Sequence, residues 1–194
     1  MNKFNRKKLF FAVLLIGFAI LGRYLLLEVP NVETMTAAIL LAGALLGGAY
    51  TLIVPLAAVA IFDLFYGNSS ILIFTWSAWA IIGFFGLVLK GRTKSAWKFT
   101  AGLTGMGMVA SLFFYFWTNF GVWLIGNWYP KTTNGLLNCF LAGVPFLKWQ
   151  IIGNLILVPV SGLAFHFLFE KIRMAKLKLL FIPTPRTSHP SKRG

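Results

Sequence analysis

Long apolar runs alternate with short polar stretches along most of the chain, and their lengths are those of membrane-crossing helices. A spanning helix needs about 20 mostly apolar residues, and fewer where it is enclosed within a bundle. That rule predicts six spans, at residues 9–27, 34–48, 50–66, 71–89, 97–126 and 149–170. The second is short, and Gly47-Gly48 followed by Pro55 predicts a tight turn and a kink. The fifth is long, and Gly102, Gly105 and Gly107 suit it to bending or close packing. The first run continues for about 20 residues with no small-residue cleavage site, so it is expected to persist as a helix and not to be removed as a signal peptide. The expected fold is therefore an all-α polytopic membrane protein, a six-helix bundle with an outer lid segment between the fifth and sixth helices.

Composition supports this class. The 194 residues are 58% hydrophobic and only 11% charged, with a mean hydropathy of +0.80, whereas soluble domains carry about 25% charged residues. The net charge of +14 changes meaning once its residues are located. Lys3, Arg6, Lys7 and Lys8 precede the first span; Lys90, Arg92, Lys94 and Lys98 lie between the fourth and fifth; seven more follow the sixth, from Lys171 to Arg193. An even number of spans puts all three clusters on one side, which the positive-inside rule makes cytoplasmic. The charge thus sets topology and attracts anionic membrane lipid, and no nucleic-acid partner is expected. The expected organisation is a basic cytoplasmic N-terminus (1–8), one membrane domain (9–170) and a basic, partly disordered tail (171–194). Cys139 is the only cysteine, which excludes an intramolecular disulfide and a cysteine-based metal cluster.

The polar residues left over concentrate on the predicted outer face, in LEVPNVE (27–33), YGNSS (66–70) and NWYPKTTNG (127–135). Asp63 falls in the last turn of the third span, where a carboxylate is costly unless paired or hydrated. Arg23 is its natural partner, as a structural pair, and a ligand-binding role is the alternative. In TWSAWAIIGFFG (75–86), Trp76, Trp79, Gly83 and Gly86 share one helical face, either as interfacial packing or as a stacking wall for a flat ligand. Pro130 and Gly135 are expected to break the helix, leaving 136–144 as a short surface helix and Asn119, Trp123, Asn127, Trp128, Tyr129, Lys131, Lys148 and Gln150 around one outer cavity. Asn154 is placed to hydrogen-bond across helices or to a ligand. His166 and Glu170 stand four apart, but with no further ligand residue nearby a metal or relay role is not expected. The chain contains no phosphate loop, H-E-x-x-H or G-x-S-x-G motif, so neither an enzyme activity nor a cofactor is expected.

The stretch LEVPNVETMTAAILLAGALLGGAYTLIVPLAAVAIFDLFYGNSSILIFTWSAWAIIGFFG resembles the substrate-binding S component of energy-coupling factor (ECF) transporters: an outer PN-V-E-T loop, a short Ala/Gly-rich helix, a third helix ending x-D-x-F-x-G, then a helix with Trp and Gly. FWTNFGVWL…YPKTTNGLLNCFLAGVPF is similar to a branch of membrane proteins related to those components, so the resemblance covers roughly residues 20–165. It implies a multi-pass protein of a prokaryotic plasma membrane that captures a vitamin-like small molecule from outside. A transmembrane coupling subunit and ATPase subunits would be its partners. It also implies that Asn31, Glu33 and Thr34 cap the cavity while Asp63, Trp76, Trp79, Asn119 and Trp123 line it. The first helix, FFAVLLIGFAILG, lacks the A-x-x-x-A pair with which many S components meet their partner, and the small pairs Ala38/Ala42 and Gly43/Gly47 of the second helix are the substitute expected to serve. A membrane scaffold without a small-molecule ligand is the alternative function.

Overall fold

The computed structural model describes residues 3–67, 70–91 and 95–180, with side chains described for 6–67, 70–91 and 95–172. Arg92 and Lys94 of the second basic cluster, two residues of the YGNSS turn and the tail beyond residue 180 lie outside the described residues. Six helices follow one another: α1 (Lys3–Leu25), α2 (Met35–Leu41, continuing as a π-helical turn over Ala42–Leu46), α3 (Tyr50–Tyr66), α4 (Leu72–Leu87), α5 (Ala96–Ile125) and α6 (Thr133–Leu180). The described residues contain no strand.

The shortest helix is the centre of the molecule. All seven residues of α2 are buried, and it packs against each of the other five helices. Around it α1 meets α3, α3 meets α4, α4 meets α5 and α5 meets α6. Rings close the circle between α6 and α1, with Phe11 5.0 Å from Phe169 and Phe18 5.3 Å from Phe165. An Ala-rich helix suits this place, because small side chains let five neighbours approach it at once.

Three helices are long and apolar enough to cross a membrane, at Arg6–Leu25, Ala96–Ile125 and Thr133–Ile172; Met35–Leu46, Tyr50–Tyr66 and Leu72–Leu87 are shorter apolar helices. At about 1.5 Å per residue, α2 and its π turn extend roughly 18 Å, against a hydrocarbon core of about 30 Å. By length and apolarity, α1, α5 and α6 are the candidate spans among the described residues.

Backbone carbonyls meet glycines along the contacts of α4. Pro55 carries no N–H for the Thr51 carbonyl one turn earlier, and Gly83 of α4 closes over that oxygen, where a Cβ would come to 2.2 Å. Gly86 lies as tightly over the Leu40 carbonyl, and Gly43 over the Gly83 carbonyl, where a Cβ would stand at 2.2 and 2.4 Å. The small residues of the second helix are thus spent inside the bundle. Ala38 and Ala42 are fully buried, Gly43 packs on α4, and Gly47 lies under Lys90. They are not available to a partner helix, contrary to the expectation from sequence.

The two ends of the bundle differ in charge. At one end Lys8 donates to the Leu46 carbonyl at 2.9 Å and Lys7 to the Phe169 carbonyl at 3.3 Å. There Gly47 and Gly48, at φ near +60°, turn the chain out of the π turn, and Lys8 compensates its C-terminal carbonyl. The opposite end gathers Arg23, Glu33, Asp63 and Thr34, whose hydroxyl ties the start of α2 to the Phe18 carbonyl of α1 at 2.8 Å.

The expected outer lid is much reduced. Residues 136–144 are not a separate surface helix; they belong to α6, one helix of 48 residues that carries Pro145 and Pro159 inside it. Gly135 falls in the first turn, where its N–H bonds to the Thr132 hydroxyl at 3.2 Å. Only residues 126–132 remain as a connection between α5 and α6.

Candidate functional site

At the end away from the lysines, α1, α3, α4 and α5 enclose a cavity of about 150 Å³. Helical spacing explains most of its wall. Val59, Phe62 and Asp63 stand at i, i+3 and i+4 on α3, and Thr75 and Trp79 at i and i+4 on α4, so each set shares one face. Arg23 enters from the last turn of α1, Phe114 from α5, and the exposed Gly67, which caps α3 at φ 81°, forms part of the rim.

The charges on this wall are arranged differently from the expected Arg23–Asp63 pair. Arg23 Nε stands 3.4 Å from Glu33 Oε2, and its Cζ lies 4.2 Å over the Phe62 ring. The loop from α1 folds Glu33 back over the helix it has just left, so the nearer carboxylate in sequence takes the guanidinium. Arg23 Nη1 is sealed from solvent with no hydrogen-bond partner. Burial pushes the Glu33 carboxyl above the ordinary glutamate value, and the Arg23 charge opposes that rise. Asp63 instead accepts a hydrogen bond from the indole Nε1 of Trp76 at 2.8 Å. Both tryptophans of TWSAW therefore serve here: Trp76 holds the carboxylate from the side, while Trp79, 1% exposed, packs 4.5 Å from Phe114 as a wall.

The remaining expected site residues are not in this cavity. Asn119 donates to the Tyr115 carbonyl one turn below, and Gly143 packs directly against its amide, so it belongs to the α5–α6 contact. Trp123 donates to the Pro130 carbonyl at 2.9 Å, and Lys131 donates to the Trp123 and Gly126 carbonyls that end α5. These residues form a self-contained cap on the connection, with Asn127 and Trp128 exposed and Tyr129 half-buried. Asn154, 2% exposed, donates to Ser111 Oγ at 2.8 Å between α6 and α5. Thr34 bonds to α1, and Asn31 is exposed on its loop at φ 59°. The eight residues expected around one outer cavity thus do not line this one.

Sequence reasoning missed Phe62, Val59, Thr75 and Phe114. The i, i+3, i+4 relation of Val59 and Phe62 to Asp63 was available as a signal; nothing in the sequence marked Phe114 among 20 phenylalanines. Among the described residues no three His, Cys, Asp or Glu side chains gather to hold a metal ion.

No curated protein and no solved structure matches the chain. A family model does match, over residues 2–177, and the chain belongs to that family, the family of unknown function DUF6580.

Proposed function

We propose that the protein is the substrate-capture subunit of a micronutrient uptake transporter, a six-span bundle with both termini in the cytoplasm. It takes a vitamin-like small molecule from outside into the cavity between α1, α3, α4 and α5. The observation that carries this reading is the cavity itself: an aromatic-walled space at the Arg23–Asp63 end of the bundle with a few polar groups fixing orientation, the usual make-up of a small-molecule site. The lysine-rich end faces the cytoplasm by the positive-inside rule, which turns the cavity outward. With no phosphate loop in the chain, energy comes from a partner ATPase module acting through a transmembrane coupling subunit.

The test is native mass spectrometry of the detergent-purified protein, alone and after incubation with a mixture of water-soluble vitamins. A Trp79→Ala, Asp63→Asn double variant serves as control. A discrete adduct on the parent that is lost in a folded, monodisperse variant supports capture. A protein that stays bare with every compound is instead a membrane scaffold, with the exposed Leu64, Phe65 and Trp128 as its contact side chains.

A further inference from the structure

The charges and rings of the cavity define a ligand class. Arg23 pairs with Glu33 through Nε at 3.4 Å and lies over the face of Phe62, while its Nη1 keeps no partner. Asp63 is left uncompensated: the hydrogen bond it receives comes from a neutral indole, and among the described residues its carboxylate makes no ion pair. Arg23, Glu33 and Asp63 therefore sum to one negative charge at the cavity. Trp79 and Phe114 complete the surroundings, and aromatic rings attract cations through their quadrupole; the Phe62 ring is already taken by Arg23 and Tyr66. The size is equally restrictive, because a cavity of about 150 Å³ is the size that accepts a benzene-sized molecule.

Resting on the capture function proposed above, we propose that the cavity takes a small organic monocation of single-ring size, its positive charge set against Asp63 and flanked by the aromatic walls.

The experiment compares three probes of nearly equal size on the full-length detergent-purified protein by isothermal titration calorimetry: N-methylpyridinium, its neutral isostere toluene, and benzoate. The expected result is saturable binding of N-methylpyridinium at least tenfold tighter than either of the others. In Asp63→Asn that preference falls to within about twofold, and Asp63→Glu retains it; loss of a merely structural aspartate would weaken all three probes alike. Should Asp63→Asn not fold, the comparison on the parent protein still decides. Equal or tighter binding of toluene or benzoate overturns the cation class and leaves capture standing. The same holds if none of the three binds and native mass spectrometry finds an uncharged or anionic cargo. Absence of any adduct overturns both.

Discussion

Replacing Gly86 by alanine tests the glycine contacts that position the site. The added Cβ would stand 2.2 Å from the Leu40 carbonyl oxygen and 3.1 Å from the Ala44 nitrogen. Ordinary contact begins near 3.4 Å, and both obstacles are backbone of the fully enclosed central helix, so no rotamer change relieves the clash and α4 must move outward by about 1 Å in a close-packed interior. Overpacking of this kind costs about 1–3 kcal/mol, with rigid backbone opposite placing Gly86→Ala at the upper end. At about 2–4 °C per kcal/mol for a chain of this size, the melting temperature should fall by roughly 6–12 °C. The protein supplies its own reporter, because Cys139 is its only cysteine and is 1% exposed. A thiol-reactive fluorogenic maleimide added during a temperature ramp therefore reads unfolding directly. Gly105→Ala is the control: that glycine is also helical, but a Cβ there meets nothing within 4 Å, so the change should be neutral or slightly stabilising. If Gly86→Ala melts with the parent, or Gly105→Ala melts as early as Gly86→Ala, the carbonyl-to-glycine packing of α4 is not what holds this side of the bundle.

Three further outcomes are expected. Because burial raises the folded-state value of Glu33 above 4.5, its contribution to stability is fully present below that value and is lost as pH rises through the raised one. The melting temperature of the parent relative to Glu33→Gln should therefore decline as pH increases from 4.5, and a gap that does not change with pH refutes the assignment. Asn154→Ala removes one interhelical hydrogen bond far from the cavity wall; it should cost about 0.6–1.7 kcal/mol and leave ligand affinity unchanged, and a tenfold loss of affinity would put Asn154 back in the site. Pro145→Ala should leave the melting temperature unchanged or raised, since residue 145 lies inside a continuous helix, where alanine is the better helix former. Lowered stability, or spin labels on either side of residue 145 that report a break, would restore the separate surface helix.

Much of the architecture was legible because it depends on sums along the chain. Apolar runs mark helices since a buried or lipid-facing backbone must satisfy its hydrogen bonds within the helix, and the starts and ends of α3 and α5 fall within about two residues of where the runs do. The turn at Gly47-Gly48 was equally visible, because both glycines adopt a positive φ that other residues resist. Asp63 and Trp79 stood out because a carboxylate and an indole placed just inside an apolar run are costly or conspicuous wherever the run packs.

Pairing was decided by the tertiary structure. Arg23 had two carboxylates within reach, Glu33 and Asp63, and the fold of the first loop gave it Glu33 while a tryptophan from another helix took Asp63. The same holds for Lys131 and the Pro130 carbonyl of NWYPKTTNG, which bond to the end of α5. Whether Pro145 ends a helix or rides inside one depends on what surrounds the freed carbonyl, which is a property of neighbours and not of the proline. Periodicity along the chain determined which residues share a face of one helix; only the packing of five helices around α2 determined which faces meet, because that choice is made by carbonyl-to-glycine contacts between segments distant in sequence.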